Sequence, residues 1–160
     1  IFSVATSAFS TVDVSHAVAG QRKFDGAVAI GSKVLFAPYN ADVVGVFDAE
    51  YSVLALVELP QHITGDAKFA GVAALHGVAV LAPYDANAVG LFDVHRNRFS
   101  SIDISRWSSE LGKFSGAATL GDSVVFAPYG VTAVGVYDGR NSAFYALESA
   151  GEAMLPFAYS

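Results

Sequence analysis

Short apolar segments, separated by small and polar residues, succeed one another along the chain. In the first complete stretch, runs rich in Val, Leu and Phe occupy residues 27–30, 34–37, 43–47 and 53–59, with Gly, Asn, Asp and Ser between them. Strand signals that recur roughly every 8–12 residues are typical of all-β proteins. The first run is almost entirely apolar, as expected of a strand that is buried on both faces. The pattern therefore predicts an all-β fold built from short strands.

The same pattern returns with a period of 45 residues. Three units, residues 23–67, 68–112 and 113–157, align without gaps and share the text KFxG, then APY, then VG, then D. Residues 1–22 align with the back half of another unit, and residues 158–160 remain as a tail. We therefore predict a single repeat segment over residues 1–160. The nine positions identical in all three units are, in the first, Lys23, Phe24, Gly26, Ala37, Pro38, Tyr39, Val44, Gly45 and Asp48.

Turn residues divide each unit into four strands. A two-residue break between the first and second runs predicts a tight hairpin turn. An Asp opens the link between the third and fourth runs, where its side chain accepts hydrogen bonds from backbone N–H groups two residues on. Pro38 is expected to end the second strand because proline cannot donate to the ladder, and Gly26 is expected at a bulge or close approach. The breaks are Gly31-Ser32, His76-Gly77 and Gly121-Asp122, and the aspartates are Asp48, Asp93 and Asp138.

Four short strands per 45-residue unit, repeated in tandem, are typical of β-propeller blades. The text VLFAPYNADVVGVFD of residues 34–48, with its copies at 78–93 and 124–138, resembles the repeat of the YVTN/NHL-like group of propellers. The KFxG and APY elements depart from the usual wording of that group. The resemblance implies a β-propeller-like array of four-stranded antiparallel blades, with three full repeats and a half blade, and it carries over no catalytic residue.

Three and a half units are too few for a closed ring, because propellers close with about 4–8 blades. An open arc exposes apolar blade faces at its ends, and exposed patches of that size normally mark an interface. Two interpretations follow: the chain is a piece of a longer propeller, or copies of it associate to complete a ring. In both, we expect other protein subunits or a second copy against the terminal units.

One rim of the array carries the candidate ligand-binding residues. There the connection between blades meets the link between strands two and three, and every unit places a lysine beside a tyrosine. Lysine supplies charge and tyrosine a flat face with a hydroxyl, which suits an anionic or sugar-like ligand. The candidates are Lys23, Tyr39, Lys68, Tyr84, Lys113, Tyr129 and, in the loop between units two and three, Trp107.

A structural interpretation competes with ligand binding at each of these positions. A residue repeated in every unit ordinarily serves the unit itself, since repeats are chiefly self-packing devices. Each lysine would then pair with a residue such as Asp42 or with a strand-end carbonyl. Trp107 would lie in a turn that covers the junction between two blades.

Composition and charge exclude several classes of function. The net charge of −6 opposes a broad phosphate-binding surface, so no nucleic-acid partner is predicted. The chain has no cysteine, which excludes disulfides, thiolate metal sites and a cysteine nucleophile. The longest uncharged stretch, residues 69–84, is interrupted by glycines and a proline and is shorter than the about 20 residues that a spanning helix needs, so no transmembrane segment is predicted.

The sequence offers no catalytic, metal or cofactor motif. Its four histidines share no ligand spacing, and GxSxG, Walker A and HExxH are absent. We therefore predict a non-catalytic scaffold or protein-interaction subunit. The alternative is a lectin-like or small-anion binder on the lysine and tyrosine rim, and a propeller lactonase or quinoprotein-type enzyme ranks third. The sequence does not identify a compartment, although the apolar surface would suit a membrane-associated assembly.

Overall fold

The computed structural model describes residues 1–148. Three four-stranded antiparallel sheets follow one another along the chain, with the strands of each in sequence order from one edge to the other. The predicted all-β array of four-stranded blades is confirmed, and across these residues it does not close into a ring. The first blade contains β3 (Phe24–Ile30), β4 (Lys33–Pro38), β5 (Val43–Asp48) and β6 (Val53–Glu58). The second contains β7 (Phe69–Leu75), β8 (Val78–Pro83), β9 (Ala88–Asp93) and β10 (Arg98–Asp103), and the third β11 (Phe114–Leu120), β12 (Ser123–Pro128), β13 (Val134–Asp138) and β14 (Ala143–Leu147).

The turn residues act as their chemistry predicts. Two-residue loops join the first two strands of every blade, and Gly31, His76 and Gly121 adopt the positive φ angles that such hairpins require. The carboxylates of Asp48, Asp93 and Asp138 each accept a hydrogen bond from the backbone N–H two residues on. In each blade the register shifts between the first Phe and the third residue after it, so the predicted bulge at the KFxG glycine is confirmed.

The blades pack side by side through their first strands, so that β7 lies between β3 and β11. The KFxG glycines bring these strands together at their closest points. A Cβ atom built on Gly26 would lie 2.9 Å from the Cα of Gly71, and one built on Gly71 would lie 2.6 Å from the Cα of Gly116. Only glycine fits this spacing at positions 26 and 71.

Each blade has two different apolar faces. The aromatic face points toward the preceding blade, and in the third blade it consists of Phe114, Phe126, Tyr137 and Phe144. The aliphatic face points toward the following blade, and in the second blade it is built from Ala73, Leu75, Val80, Ala82, Val89, Leu91 and Ile102. These two faces meet in one continuous core, and the aromatic face of the second blade meets the aliphatic face of the first in another.

The core positions that the pattern predicts are buried in the middle of the array. Phe69, Leu81 and Phe126 are almost inaccessible, whereas Phe24 and Phe36 of the first blade are half-buried. The difference reflects position, since in the described residues only the half unit precedes the first blade. The predicted core positions are Phe24, Val34, Phe36, Val44, Val46 and Leu54 of the first blade, together with the residues 45 and 90 positions later in the sequence.

The half unit, residues 1–22, forms a small two-stranded sheet of β1 (Phe2–Ser3) and β2 (Ala8–Phe9). Of its side chains that are described, Val18 alone is buried. Residues 149–160, with the expected end of the third repeat and the tail, lie outside the described residues.

Candidate functional site: the tyrosine and lysine rim and the open blade faces

The structure brings the rim residues together at the junctions between blades, and it buries two of the three lysines. The Lys68 ammonium donates to the Asp42 carboxylate at 3.0 Å, to the Asn40 carbonyl at 3.3 Å and to the Gly65 carbonyl at 2.6 Å. Asn40 and Asp42 belong to the first blade's link, so Lys68 joins the first two blades. These are the contacts that the structural interpretation predicts.

Lys113 occupies the same place at the next junction. Its ammonium donates to the carbonyls of Asp85 and Ala86, each at 3.3 Å, and its side chain is inaccessible to solvent. Burial lowers the pKa of this ammonium, and the charges of Asp85 and Glu110 oppose that shift. Lys23, which in the described residues follows the half unit and not a complete blade, is half-buried and donates to the Gly20 carbonyl at 2.6 Å.

The three tyrosines form a ladder that crosses all three blades. Ring centroids are 5.8 Å apart between Tyr39 and Tyr84, and 5.3 Å apart between Tyr84 and Tyr129. The Arg22 guanidinium lies 4.9 Å from the Tyr39 ring centroid, a distance at which a cation is attracted to the ring face. Tyr39 is buried, but Tyr129 at the other end is 67% exposed.

The ladder also perturbs the titration of its middle member. A hydrogen bond with the Tyr129 side chain raises the pKa of Tyr84, with smaller contributions from desolvation and from the neighbouring tyrosines and Asp85. The rim therefore offers a flat, hydroxyl-bearing surface that is most accessible at Tyr129.

Trp107 lies in the loop between the second and third blades and packs inward. Its ring stacks on Phe114 at 5.5 Å between centroids and 9° between planes, and it meets Phe144 at 5.4 Å. The side chain is half-buried against the core between these blades. These contacts match the structural alternative, in which this loop covers a blade junction.

The open arc predicts an exposed apolar face at each end, and the structure identifies the residues that form this face on the third blade, which the sequence analysis did not name. Leu120 is 71% exposed, whereas its repeat counterpart Leu75 is 5% exposed. The residues are alike, and the difference arises because no blade lies beyond the third in the part that the structure describes. Comparison of the three units position by position could have identified the residues of this face. It comprises Ala118, Leu120, Val125, Ala127, Val134, Val136 and Leu147.

The first blade's aromatic face is covered only in part. Ile1, Val12 and Val14 of the half unit lie over it, and they leave an apolar cavity of about 270 Å³ lined also by Phe24, Phe36, Phe47 and Leu54. On the first strand of that blade, Ala27 and Ala29 are exposed. The half unit therefore borders residues of all four strands of the blade and leaves Ala27 and Ala29 exposed.

Two further observations concern the described residues as a whole. Across residues 1–148, His, Asp and Glu side chains do not gather in groups of three or more that could hold a metal ion. Within the same range, the structure contains no helix that is long and apolar enough to span a membrane.

Comparison with known proteins supports the fold at the level of structure. No protein-family model matches the chain, and no curated protein sequence matches it significantly. Among solved structures, the chain is similar to hydrazine synthase from Kuenenia stuttgartiensis, with a TM-score of 0.60, 13% identity, and coverage of 92% of this chain and 39% of that one. It is also similar to a catalytically inactive virginiamycin B lyase from Staphylococcus aureus with quinupristin, at a TM-score of 0.58 and 13% identity.

The match to the Staphylococcus aureus lyase covers 86% of this chain and 56% of that chain. A streptogramin B lyase structure matches at a TM-score of 0.55 and 11% identity, with coverage of 82% and 53%. These neighbours are β-propellers, and identities this low show the fold alone. The chain spans between about two-fifths and just over half the length of these three structures.

Proposed function

We propose that this chain is a non-catalytic β-propeller module that acts as a scaffold, binding other protein subunits through its open blade faces. The observation that carries the proposal is the exposed aliphatic face of the third blade. Leu120 is 71% exposed where Leu75, in the same repeat position, is 5% exposed. A contiguous apolar face of this kind normally marks a site of interaction with another protein.

Dye binding and solution size of the purified chain test this proposal. We expect the wild type to enhance the fluorescence of a hydrophobic dye or to bury the face in a defined complex. In either case, Leu120→Lys should reduce the signal or the association. The matched control is Leu111→Lys, because Leu111 is 73% exposed but lies in the loop between the second and third blades. Equal effects of the two substitutions, or a monomer that does not bind the dye, would contradict the proposal.

The second candidate function is binding of a sugar-like or small anionic ligand on the lysine and tyrosine rim. The exposed ring of Tyr129 at the end of the ladder favours it, because aromatic faces with a hydroxyl suit sugar rings. Lys68 and Lys113 already direct their ammonium groups to protein oxygens, which leaves Tyr129 as the more accessible part of the site. A glycan array with wild type and Tyr129→Ala tests it, and binding that survives the substitution would count against this site.

An enzyme of the propeller type is the third candidate. It draws support from the fold shared with the two lyase structures. However, one fold supports many functions, so an enzymatic function has to be argued from the residues of a site. We therefore rank it below the scaffold and the rim-binding functions.

A further inference from the structure

Resting on the proposed function, we propose that the partner of the third blade is a second copy of this chain. In this pairing, the aliphatic face of one copy's third blade packs against the aromatic face of the other copy's first blade. The contact would repeat, between molecules, the junction that already joins the second and third blades within one chain.

The apolar surfaces of the two ends are complementary position by position. The third blade offers Val125 and Val134 where the second blade offers Val80 and Val89, which are fully buried against the third blade's aromatic face. The first blade offers an aromatic face of the same kind as the one that covers them. It consists of Phe24, Phe36, Phe47 and Leu54, in the repeat positions of Phe114, Phe126, Tyr137 and Phe144.

The inner strands carry the same complementarity. The space beside Gly116 is open, since a Cβ atom built there would meet only the Cβ of Ala127, at 3.9 Å. The equivalent space beside Gly71 is filled by the backbone of Gly116. Gly26 of a second copy, which is exposed, provides that backbone in the same repeat position. The third blade thus ends in a surface that is shaped for a KFxG strand.

Polar groups at the two ends also match. The backbone N–H of Lys68 donates to the Tyr39 carbonyl at 2.8 Å, and that of Lys113 donates to the Tyr84 carbonyl at 2.9 Å. The next carbonyl in this series is that of Tyr129. The next lysine in the series is Lys23 of a second copy, whose ammonium has the Gly20 carbonyl but lacks the preceding-blade oxygens that Lys68 and Lys113 have.

The half unit is a weak competitor for the aromatic face. Its two strands have two residues each, and isolated hairpins are at best marginally stable in water. Its described side chains are mostly exposed, and it already leaves Ala27 and Ala29 of the first blade uncovered. Docking would displace this segment, and with it the guanidinium of Arg22 from Tyr39, in exchange for a whole blade.

The geometry points to a dimer. A contact between two different faces is heterologous, so it forms either a closed ring or an open chain of copies. Over residues 1–148, each copy brings three full blades. Two copies give six, within the range of about 4–8 in which propellers close, whereas three copies would exceed that range.

Two arginine substitutions on opposite ends test the pairing. Ala27→Arg places a long charged side chain on the aromatic face, and Ala127→Arg places one on the aliphatic face. Both alanines are exposed, so neither change should disturb the fold of the single chain, which circular dichroism verifies. The matched control is Ala49→Arg, at an exposed position in the turn between the last two strands of the first blade.

Sedimentation equilibrium should show a dimer for the wild type and the control. Each of the other two variants alone should be a monomer, with the dimer dissociation constant raised about 100-fold or more, because an unpaired charge would be buried. A 1:1 mixture of the two variants should form dimers again, because one intact aliphatic face then meets one intact aromatic face. Rescue by mixing is the signature of a head-to-tail contact.

Three results would overturn the pairing: a wild type that is monomeric, a dimer that only one of the two substitutions disrupts, or an association that neither affects. If the wild type is monomeric, dye binding shows whether this inference alone fails or the proposed function fails with it. A monomer that binds the dye through Leu120 overturns the second copy as occupant and leaves the face free for a different protein. A monomer that binds no dye contradicts both.

Discussion

Gly71 lies so close to Gly116 that a Cβ atom at position 71 would stand 2.6 Å from the Cα of its neighbour. Both residues have a φ of +105°, and both sit in the first strand of a blade. They differ in what surrounds them, because Gly116 faces open space. This pair therefore separates two reasons for the glycine that recurs at this repeat position: the unusual backbone angle and the close approach of two strands.

We expect Gly71→Ala to destabilise the protein by about 3 kcal/mol or more, and Gly116→Ala by about 1–2 kcal/mol. The smaller value is the cost of a positive φ for a residue with a Cβ atom. The larger value adds the forced separation of two packed strands. Urea unfolding at low protein concentration measures both. Equal losses would show that the backbone angle alone selects glycine here.

The lysines of the repeat provide a second matched pair. Lys68→Met should lower the free energy of unfolding by about 1–3 kcal/mol, because removal of a buried ammonium leaves the carbonyls of Asn40 and Gly65 without a donor. Lys23→Met should cost less than about 1 kcal/mol, since that side chain is half-buried and has one acceptor, the Gly20 carbonyl. Thermal or urea unfolding of both variants checks the difference. A Lys68 variant as stable as the wild type would mean that the ammonium is not a structural group.

Much of the fold can be predicted from the sequence because each repeat carries turn-forming residues at the same positions. Gly31, His76 and Gly121 occupy the hairpin turns that their positions predict, and the Asp48 carboxylate accepts the hydrogen bonds expected of it. Because the same pattern occurs three times, each strand and turn assignment is supported by two further copies. The period of 45 residues then determines that there are three such blades.

The sequence could not show how the same residue type behaves in different surroundings. Leu75 and Leu120 are identical in type and in repeat position, yet one is buried and the other exposed, because burial depends on the presence of a neighbouring blade. The lysines pose the same problem. For Lys68 the sequence left two interpretations open, a ligand-binding charge and a group that pairs with Asp42 or with a strand-end carbonyl. The packing of the first two blades places its ammonium beside Asn40 and Asp42, as the second interpretation predicts.

Asp93 predicts a pH dependence of stability. The backbone N–H and the guanidinium of Arg96 lower the pKa of this carboxyl, so the folded state favours the charged form more than the unfolded chain does. The resulting stabilisation is fully present above the ordinary carboxyl pKa of about 3.9 and is lost as the pH falls through the lower folded value. Asp93→Asn should therefore be less stable than the wild type at pH 7, and the two should converge in strong acid.

Urea unfolding of both proteins between pH 7 and strong acid provides the measurement. Asp66→Asn serves as the control, since it removes the same charge from an exposed loop residue between the first two blades. The control measures the effect of removing one negative charge from the surface, and this effect is subtracted from that of Asp93→Asn. A constant difference between wild type and Asp93→Asn at every pH would mean that the substitution acts through packing and not through the charge.

Phe69 and Phe24 hold the same repeat position and differ in the neighbour that covers them. The Phe69 ring is inaccessible and lies against the second blade's Gly90, where an added Cβ atom would be 3.1 Å away. Phe24 lies against Gly45 in the same way but borders the cavity of about 270 Å³ under the half unit. Phe69→Ala should cost about 3–5 kcal/mol of unfolding free energy, as expected for a large ring removed from a closed core. Phe24→Ala should cost about 1–2 kcal/mol, because the ring is only half-buried and its removal enlarges a cavity that already exists. Equal losses at the two positions, measured by urea unfolding of monomeric protein, would show that the first blade's aromatic face is as well covered as the second's.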